Sequence, residues 1–119
     1  MISPKRGEIW LVDLNPTRGQ EIQKTRPVVI ISAEIFNPIP LRIVIPITSW
    51  QEKFGDRLFM VKIEASRENQ LSRDSAGNVL QVRSISTERF VKQLGRLSDE
   101  VLQELLAGLV ICVDYESSL

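Results

Sequence analysis

Two stretches of this chain are apolar on both faces at the two-residue period of a strand: Pro27-Val28-Val29-Ile30-Ile31, and Leu41 to Thr48 with Ile43, Val44, Ile45 and Ile47. A strand points alternate side chains to opposite faces of its sheet, so an uninterrupted apolar run must be covered on both. That requirement excludes a flat sheet with one wet face and calls for a curled sheet with a covering element. Shorter runs flank these two: Ile9 to Leu14 after Gly7, Leu58 to Ile63, and Val79 to Ile85. Bounded by Pro, Gly, Asn and Asp, they predict a small barrel or sandwich. Pro27 stands at a strand start, where proline is tolerated, and Pro46 predicts a bulge or strand exit. Ala33 to Phe36 and Thr87 to Val91 each fit a single helical turn, while Gly55-Asp56 and Ala76-Gly77-Asn78 read as turns.

The covering element is the last segment. Val101, Leu102, Leu105, Leu106, Leu109, Val110 and Val113 make one stripe at helical spacing. Ser98 stands at the N-cap, Asp99 and Glu100 complement the helix dipole, and Gly108 marks close packing. The expectation is one domain over residues 1–119, mostly β with a C-terminal amphipathic helix. At 119 residues it buries roughly two-thirds of its unfolded surface and needs no staple.

Composition narrows the chemistry. The single cysteine, Cys112, excludes a disulfide framework or a CxxC site. Histidine is absent, which removes His metal ligation, Ser-His and Cys-His nucleophiles, and RNA cleavage by a histidine pair. The carboxylates are dispersed with no zinc, calcium or magnesium spacing, so no metal or cofactor is expected. The longest apolar runs, Val28 to Ile31 and Leu109 to Val113, are too short to span a bilayer, and a cytoplasmic protein is expected. Net charge is zero but uneven. Ser98 to Glu116 holds five acids and no base, leaving ten acids against all 15 bases elsewhere. A basic body of net +5 is compatible with a polyanion, and equally with scattered solvated charge.

Three constellations carry possible chemistry. The twelve residues from Asn15 to Arg26 are long for a strand connection and hold Arg18, Lys24 and Arg26 beside one acid, Glu21. Such a loop suits a phosphate backbone, or is a plain solvated turn. Preceding Pro27, Arg26 is pushed to extended geometry at the start of the strand. Thr48 and Ser49 at a strand end can orient a phosphate, and Trp50 can stack on a base. The same three also fit an ordinary strand end, and Trp10 reads as core. Gln81 and Arg83 share a strand face opposite Leu80 and Val82, and with Arg73 and Asp74 they line a polar groove or a solvent face.

Taken in order, these residues resemble the MazF/PemK-type toxins of type II toxin–antitoxin systems. The opening Gly7-Glu8-Ile9-Trp10-Leu11-Val12-Asp13-Leu14-Asn15-Pro16-Thr17-Arg18-Gly19-Gln20-Glu21, then Thr25-Arg26-Pro27-Val28, is similar to the family's opening. Pro46-Ile47-Thr48-Ser49, Arg73-Asp74-Ser75, Gln81-Val82-Arg83-Ser84-Ile85 and Leu97-Ser98 follow as its later blocks. The likeness implies an SH3-like β-barrel with a C-terminal helix. It also implies a homodimer, a small antitoxin that occupies the active groove, and a metal-independent endoribonuclease specific for a sequence in single-stranded RNA. By position it implies Arg26 and Thr48 as the catalytic pair, Glu21 as an assisting acid, and Arg73, Asp74, Gln81 and Arg83 lining or supporting the groove. Some members carry a first-loop histidine that this chain lacks.

The residue types suit cleavage by the ribose 2′-hydroxyl on its own phosphorus. Arg26 supplies a bidentate donor for the phosphorane, Thr48 a hydroxyl, and Glu21 a carboxylate base. Two alternatives share the fold: a toxin that poisons a protein such as DNA gyrase, and an RNA-binding barrel without turnover.

Overall fold

The computed structural model describes residues 3–14 and 25–116. Its described strands run β1 (Glu8–Asp13), β2 (Thr25–Ile30), β3 (Leu41–Ser49), β4 (Met60–Ile63), β5 (Ser75–Asn78), β6 (Arg83–Ser86) and β7 (Phe90–Arg96), followed by helix α1 (Asp99–Cys112). All pairings are antiparallel, in the order β4-β5-β3-β2-β1-β7, with β6 also on β3. The sheet is not closed by hydrogen bonds among these residues, but it curls in the manner of a barrel.

The doubly apolar runs become β2 and β3, and each face has its cover. On one face Ile9, Val29, Ile45 and Ile47 pack with Leu102 and Leu105 of α1. On the other, Val12, Val28 and Val44 meet Ile85 of β6 and Phe90 of β7, strands not adjacent in the sheet. Trp10 joins this second cluster edge to face with Phe90 at 5.8 Å. Gly7, at φ +87°, ties the sheet's start together, its N–H donating to Ile30 O and its carbonyl accepting from Leu97 N. The Ser98 hydroxyl accepts from Val101 N at 3.3 Å, as the N-cap expectation required. A Cβ on Gly108 would stand 3.2 Å from Val61, the close packing its place in the helix implied.

Several expectations are corrected. Val79 to Ile85 is not one strand: Val79–Gln81 is a 3-10 turn and only Arg83–Ser86 is extended. The turn forms because Val79 drops into the core beneath α1 while its N–H donates to Phe59 O. Gln81 and Arg83 therefore do not share a strand face. Ala76-Gly77-Asn78 is strand β5, because Ala76 is buried and Gly77 lies under Leu105, where a Cβ would approach to 2.4 Å. Gly55-Asp56 ends a 3-10 turn, Glu52–Asp56. Thr87 to Val91 splits into a 3-10 turn at Thr87–Arg89 and the start of β7, a strand whose polar composition hid it. The chain does not leave the sheet at Pro46. β3 runs on to Ser49, and Pro46 marks where its partner changes from β6 to β5.

The segment between β4 and β5 is held by backbone-directed contacts. Asn69 is buried; its Oδ1 accepts from Ser66 N and Leu71 N, and its Nδ2 donates to Glu64 O. Arg96 N donates to Glu68 O, and Gly95 lets the two backbones meet. A Cβ at Gly95 would stand 2.6 Å from the carbonyl oxygens of both Glu68 and Asn69. Gly95→Ala is expected to lower stability by about 1–3 kcal/mol, seen as a melting temperature several degrees lower. Gly55→Ala, into open space, is the control and should leave the melting temperature within about a degree. Asn69→Ala removes three hydrogen bonds at once and should cost about 2–4 kcal/mol in denaturant unfolding.

Candidate functional site

Arg26 and Thr48 lie 22 residues apart in sequence and meet at one end of the sheet. β2 pairs Val28 with Pro46 and Val29 with Ile45. Run on by two residues, that register sets Arg26 opposite Thr48. Both belong to the alternation that carries Val28 and Val44 on the face away from α1. Each is half-buried, so the guanidinium and hydroxyl stand at the rim of the core.

A third wall comes from the segment that Asn69 organises. Arg26, Thr48, Ser49, Ser72, Arg73 and Ser75 line one cleft of about 130 Å3, floored by Pro27, Ile47 and Leu71. Two guanidinium groups and four hydroxyls converge there, and no carboxylate is among the described residues that line it. Such a donor set fits an anion with several oxygens and disfavours a cation. The Ser75 hydroxyl donates to Arg73 O at 3.0 Å and holds the turn that presents Arg73.

The other expected site residues fall in different places. Asp74 does not line the cleft. Its Oδ1 accepts from Ala65 N at 2.9 Å and its carbonyl accepts from Trp50 N at 3.0 Å, so it braces the wall from behind. Trp50 is half-buried beside the cleft, ring against Phe54. Arg83 is half-buried on β6 opposite Val44 and Gln81 closes the 3-10 turn, and neither reaches this cleft. Arg18, Glu21 and Lys24 lie outside the described residues. Ser72 and Ser75 went unnoticed in the sequence because serines flanking an arginine have no signature; only the fold of 64–75 aims them. Also unanticipated is a cavity of about 610 Å3 between the 64–69 turn and the start of α1, whose charged lining is Lys62, Glu64, Glu68, Glu100 and Glu104. Among the described residues no three His, Cys, Asp or Glu side chains cluster as metal ligands. No described helix is long and apolar enough to cross a membrane.

Comparison with known proteins places the fold and the family. The endoribonuclease MazF9 of Mycobacterium tuberculosis is 36% identical over 119 aligned positions, covering 95% of this chain and 98% of that one. The endoribonuclease EndoA of Bacillus subtilis is 33% identical over 108, covering 90% and 91%. Among solved structures, MazF of Deinococcus radiodurans superposes with a TM-score of 0.79 at 22% identity, covering 97% of this chain and all of that one. A mycobacterial endoribonuclease in complex with its cognate antitoxin superposes at 0.74 and 14% identity, covering 96% and 98%. Both structural likenesses establish the fold, a MazF-like curled sheet with a C-terminal helix. Residues 5–113 match the model of the PemK-like, MazF-like toxins, and with the two full-length relatives this establishes that the chain belongs to that family of type II toxin–antitoxin toxins.

Proposed function

We propose that this chain is the toxin of a type II toxin–antitoxin system and acts as a sequence-specific endoribonuclease on single-stranded RNA, without a metal. The observation that carries the reading is the cleft where Arg26, Thr48 and Arg73 meet with three serine hydroxyls and no carboxylate. Two relatives spanning nearly the whole chain bear the name endoribonuclease, which supports it.

The substrate supplies its own nucleophile. The ribose 2′-oxygen attacks the neighbouring phosphorus and loses its proton. The bond to the 5′-oxygen breaks, and that oxygen takes a proton. The products are a 2′,3′-cyclic phosphate and a 5′-hydroxyl. The protein has to hold attack and departure in line and stabilise the charge gathered on the phosphorane oxygens. Arg26 is the bidentate donor to those oxygens and the source of the departing oxygen's proton. Thr48 fixes one further oxygen, Arg73 holds a flanking phosphate, and Glu21 accepts the 2′-proton. Arg18, Lys24, Ser49, Trp50, Gln81 and Arg83 contact the RNA further out, with Asp74 bracing the wall. DNA, which lacks the 2′-hydroxyl, is bound at best and not cut.

A second copy of the chain and an antitoxin complete the assembly, in one domain over 1–119 and in the cytoplasm. A mycobacterial relative solved with its antitoxin supports the second partner.

Incubation with a long defined RNA in EDTA, with every new 5′ end mapped, tests the reading. Cuts should recur at one short sequence and carry 5′-hydroxyls. Arg26→Ala should slow them about 10²–10³-fold, and Thr48→Val about 10-fold through one lost hydrogen bond. RNA left intact by the wild-type protein would sink the nuclease and favour a same-fold poison of a protein target.

A further inference from the structure

Beyond Ser49 the chain turns back over the sheet, and four side chains there form a row of cation, ring, ring and cation. Lys62 Nζ stands 5.3 Å over the Trp50 ring, and Trp50 meets Phe54 edge to face at 5.8 Å and 81°. Arg57 Cζ lies 5.5 Å over Phe54. Phe54 is buried, Trp50 half-buried, and Lys62 exposed, so the row is anchored at Phe54 and reaches solvent at Lys62. Its distance from the cleft follows from strand register. Thr48 pairs with Ala76 and Ala76 with Lys62, so the three share one rung and one face. Two strand spacings, about 10 Å, separate Thr48 from Lys62. The Trp50 N–H donates to Asp74 O, which ties the ring's backbone to the segment that carries Arg73. Lys62 also lines the cavity that holds Glu64, Glu68, Glu100 and Glu104, so the surface changes sign beside it.

We infer that the Trp50 ring, held between Lys62 and Phe54, is a stacking platform for one nucleotide beside the scissile phosphate, and that Lys62 takes that nucleotide's phosphate and ends the RNA track. The inference rests on the ribonuclease reading above. An unpaired base presents a π face to any aromatic ring in its path, and a ring already fixed by its neighbours loses little freedom on binding. The ammonium that lies over Trp50 is within reach of a phosphate attached to the stacked base and exchanges a ring for an oxyanion. Four carboxylates beyond it repel the next phosphate, so contacts stop there. Stacking reads the area of a base and not its edge, so selection at this nucleotide favours purines over pyrimidines by a modest factor, unlike the positions read in the cleft.

The chain has two tryptophans, and Trp10 is buried against Phe90, so a change in emission on binding reports Trp50. The probe is a short oligoribonucleotide of the mapped cut sequence with 2′-deoxyribose where the attacking hydroxyl belongs, which binds without being cut. Emission of the wild-type protein should change on titration. Trp50→Ala should raise Kd about 10- to 100-fold, with the loss in cleavage falling on KM, and Trp50→Phe should restore most of it. Lys62→Gln should reduce the slope of log Kd against log salt by about one. An unmoved Kd in Trp50→Ala at an unchanged melting temperature overturns the platform, as does an emission change that persists in Trp50→Phe. Wild-type protein that leaves the parent RNA uncut, so that there is no cut sequence to map, overturns the ribonuclease reading and the platform with it. Wild-type cleavage with an unmoved Trp50→Ala Kd overturns the platform alone.

Discussion

Strand β3 has to satisfy three hydrogen-bonding partners while remaining apolar on both faces. Its first half pairs with β6, its last third with β5, and its middle with β2. Pro46, which has no N–H to donate, stands where one partner gives way to the other. Because Ile45 and Ile47 face α1 while Val44 faces Phe90 and Ile85, a slip by one residue would exchange the two cores. That same register delivers Thr48 to the rim beside Arg26. Upstream, Arg42 is buried on β3 and donates to the carbonyls of Pro4, Ile39 and Leu41, which locks the strand's start to the chain's beginning. The cleft's geometry is thus a by-product of how one strand is paired.

Charge is divided as sharply as the core. The cleft holds two guanidinium groups and hydroxyls, while the cavity beside the start of α1 holds four glutamates and one cation, Lys62. A chain of zero net charge therefore offers an anion, among its described residues, a favourable destination in the cleft and a barrier beside α1. The acidic character of the last segment, evident as Asp99, Glu100 and Glu104 in an otherwise apolar stripe, combines with Glu64 and Glu68 from a distant turn. Neither half stands out alone; the two meet in one cavity where Arg96 N, just before α1, donates to Glu68 O.

Much of the fold was legible because it was written in short-range patterns. The doubly apolar runs became β2 and β3, and the stripe from Val101 to Val113 became α1 as far as Cys112 with its Ser98 cap, although Val110 and Val113 stay exposed. What was not legible depended on distant neighbours. Ala76-Gly77-Asn78 has the composition of a turn and becomes a strand since only small residues fit beneath Leu105. Phe90–Arg96 is too polar to announce itself and pairs because β1 presents a free edge to it. Val79–Gln81 bends out of the strand pattern because a buried valine is wanted under the helix. In the candidate site, Arg26, Thr48 and Arg73 were legible as types at family spacing. Asp74, expected to line or support the groove, accepts from Ala65 N through its carboxylate and from Trp50 N through its carbonyl, contacts that no local pattern announces.

The sequence by itself determined that both faces of the sheet are covered, that a helix closes the chain, and which few cationic and hydroxyl residues are available for phosphate chemistry. Those properties are carried by local periodicity and by the kinds of side chain present. Only the tertiary structure decided which of these residues meet. The pairing of β2 with β3 sets Arg26 by Thr48, the Asn69 turn swings Arg73 and two serines to them, and the β3–β5–β4 rung puts Lys62 over Trp50. Proximity between residues tens of positions apart is a property of register and packing, and no local pattern of the chain encodes it.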